Sequence, residues 1–320
     1  MKTLKNWTVT RTEAHHITLT VDGQHQLCLD VLEQNLFRVL IKRRGELALD
    51  RTWSIAPAED VPWEGRPRED LSGFSLPDWQ LEQAEGQVTV STEQLRVTVH
   101  QPLWLEWHYR TAQGDWQPLV SDRPTSAYLL NAHGDGVAHY QRREPDDRYY
   151  GLGEKAGPLL RNGKRYEMRN LDAMGYNAAS TDPLYKHIPF TLTRRDDISF
   201  GLFYDNLASC WLDLGNEIDN YHAPYRRWQA EAGDIDYYLF TGARTLDVTK
   251  AFVRLTGKTL FGPKWSLGYS GSTMHYTDAP DAQAQLGNFI RLCREHAIPC
   301  DSFQLSSGYT SINNKRYVFN

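Results

Sequence analysis

The sequence predicts a mainly β chain. An N-terminal β-sandwich is expected over residues 1–262, followed by the start of a (β/α)8 TIM barrel over residues 263–320. Three observations carry this reading. Short runs that alternate apolar and polar residues recur through the first part of the chain. Helical spacing is nearly absent until Leu246. After Pro263 the pattern becomes strand, helix, strand with short loops, which is a parallel crossover. The last segment is far shorter than the roughly 250 residues of a complete barrel. The expectation is therefore a barrel only begun and a chain that stops mid-fold.

The elements follow in order. Ile17–Val21, Gln26–Leu32 and Leu36–Ile41 alternate as strands do. Residues 56–79 break the pattern with Pro57, Pro62, Gly65, Pro67, Gly73 and Pro77, and read as a loop or a poorly ordered insertion. Strands resume at Gln87–Ser91, Gln94–Val99 and Leu103–Tyr109. The charged run Arg142–Arg148 reads as a solvated loop. Ile188–Thr193 and Ile198–Tyr204 form a hairpin with a loop over Arg194–Asp197, and Cys210–Leu214 and Asp236–Phe240 follow as strands. Many short antiparallel strands with few helical periods make a sandwich.

Beyond Thr241, Leu246, Val248, Phe252, Val253 and Leu255 mark a helix that Gly257 ends. Trp265–Tyr269 reads as a strand whose Trp265 and Tyr269 fill a barrel core. Asp278 is the expected N-cap of the next helix, with Pro280 in its first turn. Leu286, Phe289, Ile290, Cys293 and Ala297 form its apolar stripe. Ser302–Ser306 is the second barrel strand.

Composition narrows the function. The 320 residues are 40% hydrophobic and 23% charged, with net charge -5. An acidic balance without a basic stripe points away from nucleic acid. No apolar run approaches the roughly 20 residues of a membrane span, and Met1–Thr20 lacks an apolar signal core. The expected setting is cytoplasmic, with no membrane partner. The four cysteines have neither zinc spacing nor a disulfide framework, and no cofactor is expected. Aromatic residues reach 12%, which suits sandwich packing and also stacking on sugar rings.

Two motifs stand out. Gly151-Leu152-Gly153 lacks the rest of a phosphate cradle and reads as a tight turn between strands. The stretch from Arg169 to Phe190 is a polar loop with a glycine and tyrosines before a strand. Its carboxylate, Asp172, could accept sugar hydroxyls.

The strings YGLGE, NLDAMGY, DPLYKHIPF, SFGLFYDN, LTGK, GPKWSLGYS and HAIPCDSFQLSSGY occur in this order between Tyr149 and Tyr309. In that order and spacing they resemble glycoside hydrolase family 31, which includes α-glucosidases and α-xylosidases. Before Tyr149 the resemblance is architectural. It implies a galactose-mutarotase-like β-sandwich followed by a (β/α)8 barrel, and a carbohydrate substrate. It also implies retaining hydrolysis by two carboxylates. The family's catalytic aspartates sit on later barrel strands, so no catalytic residue is assigned here and the chain alone is expected to be inactive. Asp172 matches the aspartate of a sandwich loop on the aglycone side of the active site. Ser306 and Gly308 match the end of barrel strand 2, where the family often carries aspartates in a pattern like Leu-Asp-Ile-Asp-Tyr. This chain reads Leu305-Ser306-Ser307-Gly308-Tyr309 instead. Asp301, at the start of that strand, falls at the stability end of a barrel rather than the catalytic end. The competing readings are a noncatalytic carbohydrate-binding or aldose-epimerase-like sandwich, which the segment after Pro263 leaves unexplained, and a noncatalytic product of a split gene.

Overall fold

A computed structural model describes residues 1–58 and 60–306. The chain forms two compact units, the first spanning Met1–Lys258 and the second beginning at Thr259.

The first unit is a mainly β sandwich. Its largest sheet has eight antiparallel strands. Their spatial order is Arg148–Gly153, His187–Arg195, Ile198–Tyr204, Ile235–Gly242, Leu36–Lys42, His25–Glu33, His16–Val21, Trp7–Thr12. Alternation decides what this sheet buries. Ile17, Leu19, Val21, Leu27, Leu29, Val31, Phe37, Val39 and Ile41 all enter the main core. They meet Val88, Val97, Leu105 and Trp107 of a five-stranded sheet, and Tyr128, Tyr166, Leu212 and Trp228 of a six-stranded one. Within this core His139 bonds Tyr204 Oη and Asp122 Oδ1, each at 2.8 Å.

The outer face of the eight-stranded sheet is divided. One half is apolar: Leu36, Leu192, Phe203, Tyr238 and Phe240 pack under the helix Thr245–Thr256, which buries Val248 and Leu255. Gly201 lies beneath this packing. A Cβ there would meet the Phe240 ring at 2.3 Å and Phe190 at 2.9 Å. The other half is charged. Asp236, fully buried, accepts from Arg38 Nε at 2.8 Å, from Arg38 Nη2 at 2.7 Å and from Arg68 Nη1 at 2.6 Å. Together the guanidiniums hold its carboxyl below the ordinary range, against a burial that would raise it.

Several expectations are corrected. Residues 56–79 are not a loose insertion. They include a two-residue strand, Arg66–Pro67, paired with Arg51–Thr52, and they bury Arg66 and Arg68. The hairpin after His187–Arg195 turns on Asp196 and Asp197 alone, because Arg195 already pairs with Ile198. Within the run Arg142–Arg148, Asp147 is buried and accepts from Arg195 Nε at 3.0 Å. Gly151-Leu152-Gly153 is not a turn. It is the bulged end of a strand, with all three residues at positive φ.

In the second unit, the expected strand Trp265–Tyr269 is a 3₁₀ turn over Lys264–Leu267. Ser266 Oγ donates to Pro263 O at 2.7 Å, and the Gly268 N–H donates to Trp265 O at 3.1 Å. Such local bonds compete with sheet pairing. Trp265 and Tyr269 are exposed rather than core. Among the described residues of this unit, Ser270–Gly271 pairs with Ser302–Phe303 in parallel, so the strand expected over Ser302–Ser306 is two residues long. Asp278 closes the short helix Met274–Thr277, and Asp281 precedes the longer helix Ala282–Glu295. Of that helix's expected stripe only Cys293 is buried. Ala297 lies past its end at positive φ.

Two predictions follow from this packing. Asp236→Ala leaves two buried guanidiniums without their shared carboxylate, and the expected loss is about 3–5 kcal/mol in denaturant melts. A loss below about 1 kcal/mol would show that Asp205 and Asp30 take over. The second concerns His16. Burial opposes its charge, but the hydrogen bond and charge of Asp30, with Cys28 adding to them, outweigh that and lift its pKa from 6.5 to about 10. A raised pKa stabilises the fold below the unfolded value, and that contribution is lost as pH rises. Between pH 6.5 and about 10 the midpoint of unfolding should fall more steeply in the native protein than in His16→Gln. Equal slopes would remove His16 as the cause.

Candidate functional site

The approach to the Asp172 loop begins where the strand Arg148–Gly153 ends. Gly151 and Gly153 are required there. A Cβ on Gly151 would lie 2.5 Å from Phe190 O, and one on Gly153 would lie 2.9 Å from Ile188 N. The chain then contributes the strand Arg165–Met168 to the six-stranded sheet, and from there a polar loop runs to His187. Its base is closed by Glu154 N–H donating to Lys186 O at 3.0 Å. Lys155 is the anchor. Its side chain is 1% exposed and donates to Asp182 Oδ1 at 2.6 Å and to the Glu167 carbonyl. Asp182 Oδ2 in turn accepts from the Glu167 N–H at 2.6 Å. Further out, Leu171 N–H donates to Leu184 O at 3.1 Å and Asn177 N–H donates to Thr181 Oγ1 at 2.7 Å. The loop therefore satisfies much of its own backbone, as an exposed segment of fixed shape must.

Asp172 is exposed on this loop. The nearby Asp172 carboxylate raises the Tyr185 pKa, with burial adding to the shift. Tyr176 contributes further to the same shift. Tyr176 is 56% exposed, Tyr185 46% and Met174 83%. A carboxylate has several acceptor positions, so Asp172 has capacity for a ligand hydroxyl. Exposed phenol rings offer flat apolar faces with a polar tip. Carboxylate and rings together form a surface that can take a hydroxyl-rich ligand. Sequence reasoning selected Asp172 but missed Tyr185 and Lys155. Tyr185 stood in the string DPLYKHIPF, without a sign of its partner.

Ser306 lies in the second unit, three residues past the strand Ser302–Phe303, and is partly exposed. The Gln304 N–H continues the parallel pairing by donating to Gly271 O at 2.8 Å. Gly308 lies outside the described residues. Asp301 is at the other end of the same strand. Its N–H donates to Tyr269 O at 2.9 Å, and its carboxylate occupies the space a Cβ on Gly268 would need, 1.8 Å away. Among the described residues no group of three or more His, Cys, Asp or Glu side chains could hold a metal ion. The four cysteines are free thiols. No described helix is long and apolar enough to cross a membrane.

Comparison with known proteins gives this geometry a context. An alpha-glucosidase of Bacillus thermoamyloliquefaciens is 34% identical over 173 residues, which is 54% of this chain and 21% of that protein. An alpha-xylosidase of Lactiplantibacillus pentosus is 26% identical over 233 residues, 71% of this chain and 28% of that protein. The chain thus spans between a fifth and somewhat over a quarter of the length of these relatives. Among solved structures, a dextranase of Flavobacterium johnsoniae complexed with isomaltotriose shares the fold. Its TM-score is 0.79 at 24% identity, covering 97% of this chain and 35% of that one. An alpha-1,4-glucan lyase of Gracilariopsis lemaneiformis aligns with a TM-score of 0.77 at 16% identity, over 99% of this chain and 37% of that one. The family model for the glycosyl hydrolase 31 N-terminal galactose mutarotase-like domain matches residues 26–213, so the likeness reaches well before Tyr149. With more than half of its residues matched, the chain belongs to glycoside hydrolase family 31.

Proposed function

We propose that this chain forms the front of a retaining α-glycoside hydrolase that acts on terminal α-linked sugars. In this reading the Asp172 loop shapes the leaving-group side of the sugar site, and the second unit opens a (β/α)8 catalytic barrel. The observation that carries the proposal is Asp172 exposed on an anchored loop that also exposes Tyr176 and Tyr185. A carboxylate with spare acceptor capacity beside exposed rings suits a saccharide. The parallel pair Ser270–Gly271 and Ser302–Phe303, with a helix between its strands, supports the barrel reading. Relatives described as alpha-glucosidase and alpha-xylosidase support the reaction class. The retaining reaction needs two carboxylates about 5–5.5 Å apart, and neither is assigned to a residue of this chain.

Barrel sites are built at the C-terminal ends of strands, and Ser306 follows such an end. A serine hydroxyl can donate as well as accept, whereas a carboxylate only accepts. A hydroxyl at this position can therefore donate to a sugar group that is itself an acceptor.

Two variants test the role of the loop in the active hydrolase. Hydrogen bonds to a charged group contribute roughly 1.5–3 kcal/mol, so Asp172→Ala should lower kcat/KM on a disaccharide about 10- to 100-fold. An aryl glycoside lacks the leaving-group sugar and should lose much less. Equal losses on the two substrates would reduce Asp172 to a support for its own loop. Lys155→Met removes the anchor while keeping Asp172. It should show the same substrate bias, together with faster amide exchange at Leu171. Unchanged exchange would show that the backbone bonds alone hold the loop.

A further inference from the structure

The charged half of the eight-stranded sheet's outer face contains a cavity of about 270 Å³. His16, Thr18, Gln26, Arg38 and Lys42 line it from three adjacent strands, and Glu69 closes it from the segment above. It shares no lining residue with the Asp172 loop. A solvated sheet face would leave such side chains open to water. Here Arg38 is 2% exposed and Asp30 3%.

The charges at this cavity are already matched. His16 Nδ1 bonds Asp30, and its Nε2 lies 2.8 Å from Thr18 Oγ1. Lys42 Nζ lies 2.7 Å from Glu69 Oε1. Arg38 is held by Asp236, and Arg11 at the rim by Glu13. An anion such as phosphate would have to displace carboxylates from their cations. A metal ion would have to displace the cations. A neutral ligand that donates and accepts at neighbouring positions displaces neither. Cation and carboxylate side by side match two hydroxyls on adjacent ring carbons, one accepting and one donating. Gln26 can bond in both directions, and Leu40 and Leu71 add apolar surface for the C–H face of a ring. The volume lies just under the roughly 300 Å³ at which drug-sized pockets begin, which suits one ring rather than a chain.

We propose that this cavity is a second saccharide site, taking a single neutral pyranose ring between the His16–Asp30 and Lys42–Glu69 pairs. The ligand is a free monosaccharide or the end unit of an oligosaccharide. The inference does not rest on the hydrolase reading, because no residue of the Asp172 loop takes part.

The test is nitrogen-detected titration of the histidine ring signals in the intact chain at neutral pH. Glucose, isomaltose and inorganic phosphate are added in separate experiments. A saturable shift of the His16 ring with glucose or isomaltose, and none with phosphate, is the expected result. A response to glucose marks a free ring as the ligand, and a response to isomaltose alone marks a chain end. Glu69→Gln and Gln26→Ala should each weaken the response about tenfold or more. Glu69 has 59% of its side chain exposed, so its variant should keep the native melting temperature. The proposal is overturned if neither sugar gives a saturable shift, or if phosphate gives the larger one. It is also overturned if both variants respond like the native chain, or if the response disappears in Asp172→Ala.

Discussion

Asp236 is the point on which the first unit turns. It is an anion with no exposed surface, set in the middle of the largest sheet. Burying such a charge is unfavourable unless cations and hydrogen bonds meet it. Arg38 comes from the neighbouring strand, and Arg68 from the segment that crosses the sheet. Arg68 then reaches Leu49 O at 3.0 Å, Arg51 O at 3.0 Å and Asp205 Oδ2 at 2.8 Å. One carboxylate thereby gathers two strands and two connecting segments. Because these ions occupy the centre of the outer face, apolar packing under the helix stops at Tyr238. The polar cavity begins beyond it.

The strands of the sandwich were legible because a half-buried strand writes its burial into a period of two. Ile17, Leu19 and Val21 do so, and so do Phe37, Val39 and Ile41. The charged centre was not legible. Arg68 and Asp236 are 168 positions apart, and nothing local to Arg68 distinguishes it from a surface arginine. Its neighbours Pro67 and Gly73 suggested looseness, whereas the pairing chemistry that fixes the segment is long-range. The same limit applied to the functional loop. Asp172 could be selected through the motif around it, but its placement near Tyr185 depends on how the loop folds back through Leu171 and Leu184.

In the second unit, periodicity misled for a different reason. Trp265, Leu267 and Tyr269 alternate as strand residues do, yet their side chains are exposed. Pro263 supplies a carbonyl that Ser266 captures twice, through its N–H at 3.0 Å and through its hydroxyl at 2.7 Å. A turn with two local bonds outcompetes an extended segment that has no adjacent strand along most of its length. The helix stripe kept its spacing, but Phe289 packs only at its edge, against Tyr276 and Phe303 at ring distances of 5.7 and 5.4 Å.

The carboxylates of this chain fall into two kinds, and the difference bears on function. Asp236, Asp182, Asp147 and Asp30 each meet a cationic side chain, so their charge is neutralised within the fold. Asp172 instead lies exposed on its loop. Structural ion pairs need no ligand to complete them, whereas an exposed carboxylate keeps acceptor positions open. The His16–Asp30 and Lys42–Glu69 pairs at the cavity are also matched, and charge balance leaves them no use for an ion. Glu69 is exposed there and keeps acceptor positions open. The two surfaces differ in what they offer a ligand. The loop offers one strong acceptor, and the cavity offers matched pairs.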